Sequence, residues 1–243
     1  MHEGDTYLDR DGLADLYLAR RHRPDSPNEA IEKPITWDLV GDVRGQHVLD
    51  LGCGDGSFGV ELLNAGCVTY TGLESSAKMA QRARELLQHA QGKIALTRIE
   101  DWDFPVDAFD LVVSRLALHY VADLHHTFLN VSQALRHGGR FVFSMVHPVI
   151  TSSDKSREAS GVRGDWIVDD YFATGPRKVR FMDDFVVQYH RTVEDLFTSL
   201  KATGFAVEQL REARPTRGNF DDVGEYQRRS RIPLFIFFSA RKG

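Results

Sequence analysis

The stretch that most constrains the fold of this chain is an apolar segment running directly into a glycine-rich turn. Residues 48–51 read Val-Leu-Asp-Leu, glycines follow at positions 52, 54 and 56, and Phe58 opens a pattern typical of a helix. Glycine lets the backbone turn tightly and approach a ligand closely, because it has no Cβ. The pattern therefore predicts a strand, a ligand-binding turn and a helix, in that order.

Two kinds of ligand fit such a turn. Gly54, Gly56 and Gly59 match the G-x-G-x-x-G spacing of a dinucleotide site, and Glu74 stands where the ribose-binding acid of that motif belongs. Asp50 argues against a dinucleotide, because a pyrophosphate at the turn would meet its carboxylate. A cationic ligand would instead gain from that carboxylate by Coulomb attraction, which strengthens as water is excluded. Position 50 therefore favours a cationic ligand such as a sulfonium.

The segment Asp50-Leu51-Gly52-Cys53-Gly54-Asp55-Gly56 resembles the first motif of class I S-adenosylmethionine-dependent methyltransferases, an acid followed by alternating glycines. The resemblance covers most of residues 48–240 and is weakest over an insertion described below. It implies an α/β fold with a Rossmann-like, seven-stranded, mostly parallel sheet, an antiparallel last strand and helices on both faces. It also implies S-adenosylmethionine as cofactor and S-adenosylhomocysteine as product.

The resemblance assigns cofactor roles to individual residues. Glu74 would accept hydrogen bonds from the ribose hydroxyls, and either Glu100 or Asp101 would accept one from the adenine amine. Tyr17 and Arg21 are candidates for reaching the methionine carboxylate, with core packing and solvent exposure as the alternatives. The predicted cofactor-binding residues are Tyr17, Arg21, Asp50, Gly52, Cys53, Gly54, Glu74, Ser75, Met79, Glu100, Asp101, Trp102 and Leu116. For Trp102, stacking on adenine and plain packing both stay open.

Two histidines follow predicted strands and are candidates for catalysis. His119 and His147 both fall where a strand reaches the carboxyl edge of the sheet, which is the edge where open α/β sheets bind ligands. A histidine has a pKa near neutrality and could take a proton from a hydroxyl or amine acceptor. A loop-orienting hydrogen bond is the alternative for His119, and the sequence predicts no metal site.

Composition narrows the acceptor and the partners. The 243 residues carry a net charge of -5, which argues against nucleic acid as partner. No apolar run approaches the 18 or so residues that a membrane span requires, and the polar start Met1-His2-Glu3 does not resemble a signal peptide. Cys53 and Cys67 form no C-x-x-C pair. We therefore expect a cytoplasmic protein with a small-molecule acceptor and without nucleic-acid or membrane partners; a homodimer stays open.

The order of patterns divides the chain into four regions. We expect an N-terminal helical cap at 1–45, with a helix from Thr6 to Arg21, a cofactor-binding core at 46–146, an insertion or lid at 147–191, and the rest of the core at 192–243. His137-Gly138-Gly139 is expected to end a helix with a glycine cap. The strand patterns around Asp183-Asp184 predict a hairpin that covers the acceptor site.

The end of the chain supports the methyltransferase topology. Phe205–Leu210 reads as a strand, Pro215–Arg231 as a polar mobile stretch, and 232–240 as a last buried strand. A strand reached without a crossover helix must return antiparallel.

The expected reaction is methyl transfer to an oxygen or nitrogen of a small aromatic or carboxylate-bearing acceptor, with natural products and other secondary metabolites as the acceptor class considered. Arg177, Lys178 and Arg180 could hold an acidic acceptor group or form a solvated hairpin face. An NAD(P)-dependent oxidoreductase and a non-catalytic nucleoside-binding module are the alternatives.

Overall fold

The predicted glycine turn lies at the centre of a seven-stranded sheet. The computed structural model describes residues 7–10, 12–88, 90–156, 165–182 and 184–243. Within these ranges the strands are β1 (His47–Leu51), β2 (Thr69–Glu74), β3 (Gly92–Leu96), β4 (Phe109–Arg115), β5 (Leu135–Val146), β6 (Gly175–Phe181), β7 (Asp184–His190), β8 (Phe205–Glu212) and β9 (Phe235–Lys242). The main sheet has the order β3-β2-β1-β4-β5-β9-β8, and β6 pairs with β7 alone.

The strand directions confirm the predicted topology. Strands β1 to β5 pair in parallel, whereas β9 is antiparallel to both of its neighbours, β5 and β8. Six strands therefore run one way and the last runs against them. The carboxyl ends of β1 to β4 consequently meet at one edge, with the glycine turn at their centre.

Helices cover both faces of this sheet. In the described ranges they are α1 (Leu13–Arg21), α2 (Lys33–Val40), α3 (Ser57–Asn64), α4 (Ala77–Leu86), α5 (Leu124–Ala134), α6 (Pro148–Thr151), α7 (Val193–Ala202) and α8 (Val223–Arg229). A wider helical turn, Asn28–Glu32, leads into α2. Among the described residues, no helix is both long enough and apolar enough to span a lipid bilayer.

Alternating side chains of the central strands build one apolar core on each face. On one face Leu49 and Val112 pack with Phe128 of α5. On the other, Val48 and Leu111 belong to a cluster with residues of α2 and α3. Burial on both faces explains why these strands read as continuous apolar runs in the sequence.

The structure corrects the predicted N-terminal helix. A short turn, Tyr7–Asp9, precedes α1, which begins only at Leu13 after the left-handed Gly12. The left-handed conformation of Gly12 separates the turn from α1, and Asp9 of the turn binds the start of α4.

The predicted glycine cap after α5 is also wrong. Helix α5 ends at Ala134, and β5 already begins at Leu135. Gly138 has a φ of 73°, and the pairing of β5 with β4 shifts register near here, between Phe109 and Leu111. The glycine pair therefore lies in an irregular strand, because a positive φ also suits a bulge.

The stretch from Pro215 to Arg231, predicted to be mobile, contains ordered structure. Phe220 is buried in the core, and α8 follows directly. The Asp222 side chain caps α8 by accepting hydrogen bonds from the N–H groups of Gly224 and Glu225. Polar composition concealed this helix, because its contacts are a cap, the ion pairs of Glu225 with Arg228 and Arg229 and the packing of the single ring of Tyr226 on Phe220.

The hairpin predicted within the insertion is confirmed. Strands β6 and β7 are antiparallel, with Phe181 opposite Asp184; Asp183, which the prediction also named, lies outside the described residues. The Tyr7 hydroxyl donates to the Phe181 carbonyl oxygen at 3.3 Å, and the two rings meet edge to face at 5.6 Å. The hairpin therefore contacts the N-terminal turn.

Candidate functional site

A cavity of about 400 Å³ opens at the carboxyl edge of the sheet. Nine of the predicted cofactor-binding residues line it: Tyr17, Arg21, Gly52, Gly54, Glu74, Ser75, Met79, Glu100 and Leu116. Its volume lies in the range of small-molecule sites. Residues that are far apart in sequence thus form one site because four parallel strands end at the same edge.

The glycine turn forms the wall of this cavity nearest to β1. Gly52 has a φ of 79°, and a Cβ at this position would overlap the side chain of Ala117 in the loop after β4. The N–H groups of Gly52 and Cys53 both donate to the Leu73 carbonyl oxygen at 2.9 Å. Position 52 therefore requires glycine both for its backbone conformation and for the close approach of the β4 loop.

Glu74 ends β2 beside this turn and is held by two backbone groups. Its Oε2 accepts from the Gly54 N–H and its Oε1 from the Ser76 N–H, each at 2.9 Å. Burial raises the pKa of Glu74, and these hydrogen bonds oppose the rise. The carboxylate thus has a fixed orientation at the cavity wall and can accept hydrogen bonds from a diol.

Asp50 and Cys53 lie beneath the cavity and do not line it. Asp50 is 2% exposed; its Oδ2 accepts from the Tyr70 hydroxyl at 2.8 Å, and its Oδ1 has no partner among the described residues. Burial raises the pKa of Asp50 to about 6, although Tyr70, Arg115 and Arg21 pull it down. Asp50 does not line the cavity. It can therefore act on a bound ligand through its charge but not by direct contact.

Tyr17 and Arg21 lie together at the cavity, one helical turn apart on α1. The Arg21 Nη1 donates to the Tyr17 hydroxyl at 2.9 Å, and the Tyr17 ring packs on Phe181 of the hairpin at 5.8 Å. Both side chains line the cavity, and their contact with a methionine carboxylate stays a prediction.

The structure separates the candidates for the far end of the cavity. Glu100 lines it, and its Oε1 accepts from the Ala122 N–H at 3.1 Å. The Asp101 side chain is 67% exposed, and Trp102 packs against Phe104 at a centroid distance of 4.7 Å. Asp101 and Trp102 are therefore not cavity residues, because the turn after β3 directs them away from it.

The two histidines are not on the cavity surface either. His119 is 2% exposed, and its ring lies 4.3 Å from that of Tyr120, which does line the cavity. Burial, followed by the charge of Arg191, lowers the pKa of His119 to about 3. At neutral pH its imidazole is uncharged and weakly basic, and its Nδ1 has no partner in the described part of the chain.

His147 is occupied by structural hydrogen bonds. Its Nδ1 accepts from the Val149 N–H at 3.1 Å, which caps α6, and its Nε2 lies 3.0 Å from Glu212 Oε1 of β8. Burial lowers the pKa of His147, opposed by the charge of Glu212. The structure does not bring this residue to the cavity.

Sequence reasoning missed several residues that line the cavity or support its wall. Asp9 accepts hydrogen bonds from the Ser76 hydroxyl at 2.6 Å and from the Lys78 N–H at 3.0 Å, at the start of α4, where a helix N-terminus favours an anion. Its neighbour Leu8 lines the cavity, as do Arg115, Val187 and Tyr189. Only the alternation of Val187 and Tyr189 along β7 carried a signal, because alternate residues of a strand share a face.

The donor set suits a nucleoside that carries a cationic group. The glycine turn leaves room for the ligand because its glycines carry no side chains. The fixed carboxylate of Glu74 at the end of β2 and the buried carboxylate of Asp50 offer the ligand negative charge. Within the described ranges, no group of three His, Cys, Asp or Glu side chains could hold a metal ion.

Comparisons with known proteins agree with this geometry. Residues 49–143 match a family described as a methyltransferase domain. The chain is 36% identical to an S-adenosylmethionine-dependent methyltransferase of known structure from Mesorhizobium loti, with a TM-score of 0.79 over 87% of this chain and 97% of that one. It is also 30% identical to a candidate enzyme of the same class from Listeria monocytogenes, with a TM-score of 0.79 over 87% and 96% of the two chains.

A third similarity concerns an enzyme with a named chemistry. The chain is 25% identical over 174 residues to the O-methyltransferase resE of Aspergillus sclerotiorum, covering 70% of this chain and 58% of that protein.

The buried, neutral His119 should make the protein acid-sensitive. The pKa of His119 in the folded protein is about 3, below the ordinary 6.5. Between these two pH values the unfolded chain binds a proton at His119 that the folded chain does not. His119 therefore lowers the free energy of unfolding as the pH falls below 6.5. The slope approaches roughly 1.4 kcal/mol per pH unit. Urea unfolding from pH 7 to pH 4 should therefore show a flatter loss of stability for His119→Gln than for the unaltered protein.

The exposed His126 provides the control. His126→Gln should follow the curve of the unaltered protein. Parallel curves for His119→Gln and the unaltered protein would contradict a neutral, buried His119.

Proposed function

Because the chain belongs to the S-adenosylmethionine-dependent methyltransferases, we propose that it transfers a methyl group to an oxygen or nitrogen of a small aromatic acceptor. S-adenosylmethionine is its cofactor, and when bound it supplies an activated methyl group on a sulfonium. The observation that carries the acceptor proposal is the lining of the cavity beneath the hairpin. There Tyr120, Val121, Val187 and Tyr189 present rings and apolar side chains without a carboxylate or an amine.

The cofactor would lie along the sheet edge in the order of the strands. Glu100, after β3, would accept a hydrogen bond from the adenine amine, and Glu74, at the end of β2, would hold the ribose hydroxyls. Arg21, beside the glycine turn after β1, would bind the methionine carboxylate. This order is supported by the strand sequence β3-β2-β1-β4 and by the presence of all three side chains in the lining of the cavity.

The acceptor would then occupy the remaining space at the end of β4. Aromatic walls favour a flat acceptor, because stacked or edge-to-face rings contribute about 0.5–1.5 kcal/mol beyond the area they bury. Similarity to an O-methyltransferase supports oxygen as the methylated atom. Arg177 and Lys178 do not line the cavity; the first donates to the Ala173 carbonyl oxygen and the second lies over the Phe185 ring. Neither side chain is therefore placed to hold an acidic group of the acceptor.

The chain would contribute to catalysis mainly by alignment. Holding two reactants in line can lower a barrier by roughly 7–11 kcal/mol, and the cavity walls here belong to ordered elements. His119 would serve as a base only after a change in its surroundings, because an imidazole with a pKa of about 3 is a poor proton acceptor. We therefore assign it first to the support of Tyr120, and we assign no catalytic role to His147.

Residues 147–191 would act as a lid, together with the N-terminal cap at 1–45. Val187 and Tyr189 bring β7 to the cavity, and the ion pair of Arg10 with Asp184 joins the hairpin to the N-terminal turn. Closure of this kind excludes water and fixes the acceptor.

Calorimetry with S-adenosylhomocysteine and with NADH tests the cofactor site. The first should bind and the second should not, because Asp50 disfavours a pyrophosphate at the turn. Glu74→Gln should weaken binding of S-adenosylhomocysteine about 10- to 100-fold, since hydrogen bonds to a charged group contribute about 1.5–3 kcal/mol. Glu85→Gln, on the exposed face of α4, is the matched control and should leave the affinity unchanged. Binding of NADH in preference, or an unaltered affinity in Glu74→Gln, would contradict the proposed site.

An acceptor screen tests the aromatic site. Phenols, aromatic amines, aliphatic amines and aliphatic acids are incubated with S-adenosylmethionine, and release of S-adenosylhomocysteine is measured. We expect turnover with the aromatic compounds. Tyr189→Ala should raise the acceptor KM about 3- to 10-fold, whereas Phe185→Ala, on the same strand but outside the cavity, should not. Turnover confined to aliphatic acceptors, or equal effects of the two variants, would contradict the proposal.

A further inference from the structure

Arg115 is a cavity residue whose guanidinium is fixed from behind. Its Nε donates to Glu32 Oε2 at 3.0 Å, and its Nη2 donates to the same carboxylate. The guanidinium also lies over the Phe58 ring, 4.5 Å from the centroid. The remaining nitrogen, Nη1, makes no hydrogen bond within the described residues. Since Arg115 is 7% exposed and lines the cavity, this third nitrogen is available to a ligand there.

Glu32 holds Arg115 without reaching the cavity. It is 0% exposed, and its Oε1 accepts from the hydroxyls of Thr36 and Ser144, each at 2.7 Å. Burial alone would raise the pKa of Glu32, but the charge and hydrogen bonds of Arg115, together with those two hydroxyls, keep it below its usual range. The carboxylate is therefore ionised, and its partners satisfy both of its oxygens.

The same network fixes the backbone that follows Arg115. Leu116 has a φ of 55°, a left-handed conformation that is unfavourable for a residue with a branched side chain. Its N–H donates to the Ser144 hydroxyl oxygen at 3.1 Å, and that hydroxyl in turn donates to Glu32. A closed circuit thus runs from Leu116 through Ser144, Glu32 and Arg115 back to Leu116. A strained conformation held in this way at a cavity wall is typical of a functional site.

Arg115 lies at the end of the cavity formed by the glycine turn. Its guanidinium lies over Phe58, in the first turn of the helix that follows the glycine turn, and β4 pairs with β1 up to Asp50, just before that turn. Arg21 approaches the turn from the other side: a Cβ on Gly54 would lie 4.0 Å from its Nη1. Two guanidinium groups therefore converge on the part of the cavity assigned above to the methionine portion of the cofactor.

We propose that Arg115 binds the methionine carboxylate of the cofactor alongside Arg21, and that Glu32 is the positioning residue that orients it. This inference rests on the proposed function. Glu32 binds Nε and Nη2 of the Arg115 guanidinium. Nη1 therefore points away from Glu32 and is a preorganised donor. Preorganisation matters here because an arginine side chain that was free to move would lose conformational entropy on binding.

The test compares S-adenosylhomocysteine with its decarboxylated analogue, in which hydrogen replaces the carboxylate. Calorimetry gives the ratio of the two affinities for each variant. The double variant Glu32→Gln, Arg115→Met replaces the buried pair by neutral side chains of similar length. It should lower the affinity for S-adenosylhomocysteine about 10- to 100-fold while leaving that for the analogue unchanged. A purely structural role would weaken both ligands alike.

A second ion pair of β4 provides the matched control. Arg136 and Asp110 pair at 2.8 Å at the amino end of this strand, away from the cavity. Asp110→Asn, Arg136→Met should therefore keep the affinity ratio of the unaltered protein. Glu32→Gln alone retains the arginine but loosens its fork, and should lose part of the preference for the carboxylate.

Arg21→Met keeps the inference testable if the double variant does not fold. With Arg115 still in place, this variant should retain a preference for S-adenosylhomocysteine over the analogue. A ratio of one in Arg21→Met, or an unaltered ratio in a folded double variant, would overturn the role of Arg115. If the unaltered protein binds neither compound, the proposed function itself fails; if it binds both and only the variants disagree, this inference alone fails.

Discussion

The buried ion pair between Glu32 and Arg115 is the interaction on which the cavity depends. It joins the helical turn before α2 to the end of β4, and through Ser144 it reaches β5. Removing one partner of such a pair costs about 3–5 kcal/mol, because the other charge is left buried. The pair therefore fixes the turn before α2 against the ends of β4 and β5. Helix α1, which carries Tyr17 and Arg21, precedes that turn in the chain.

Electrostatics then determines which ligand the edge can accept. Burial removes water from around Asp50 and raises the pKa of its carboxyl group to about 6. A cation bound above the glycine turn would stabilise the ionised form, since an opposite charge nearby lowers the pKa of a carboxyl group. The two arginines, in contrast, attract a carboxylate. A ligand with a sulfonium and a carboxylate at one end satisfies both demands, which a dinucleotide would not.

The parts of this site that the sequence predicted are those that local patterns encode. The apolar run before Gly52, the acid at the end of the next strand and the apolar last strand each follow from composition and spacing within a few residues. The fold, the glycine turn and the place of Glu74 could therefore be predicted.

The remaining parts depend on pairings between distant segments. Asp9 caps α4 from 67 residues away, and Glu32 meets Arg115 across 83 residues, so no local pattern announces either contact. Trp102 and Asp101 lie next to Glu100, but the turn after β3 directs only Glu100 into the cavity. His147 stands at the carboxyl edge as predicted, yet its hydrogen bonds with Val149 and Glu212 keep it in a structural role.

A crystal structure of the protein with S-adenosylhomocysteine tests this site most directly. We expect density for the nucleoside along the edge of β3, β2 and β1, with the adenine at Glu100, the ribose hydroxyls at Glu74 and the carboxylate between Arg21 and Arg115. Density in the opposite orientation, or a ligand bound outside this cavity, would overturn this binding mode.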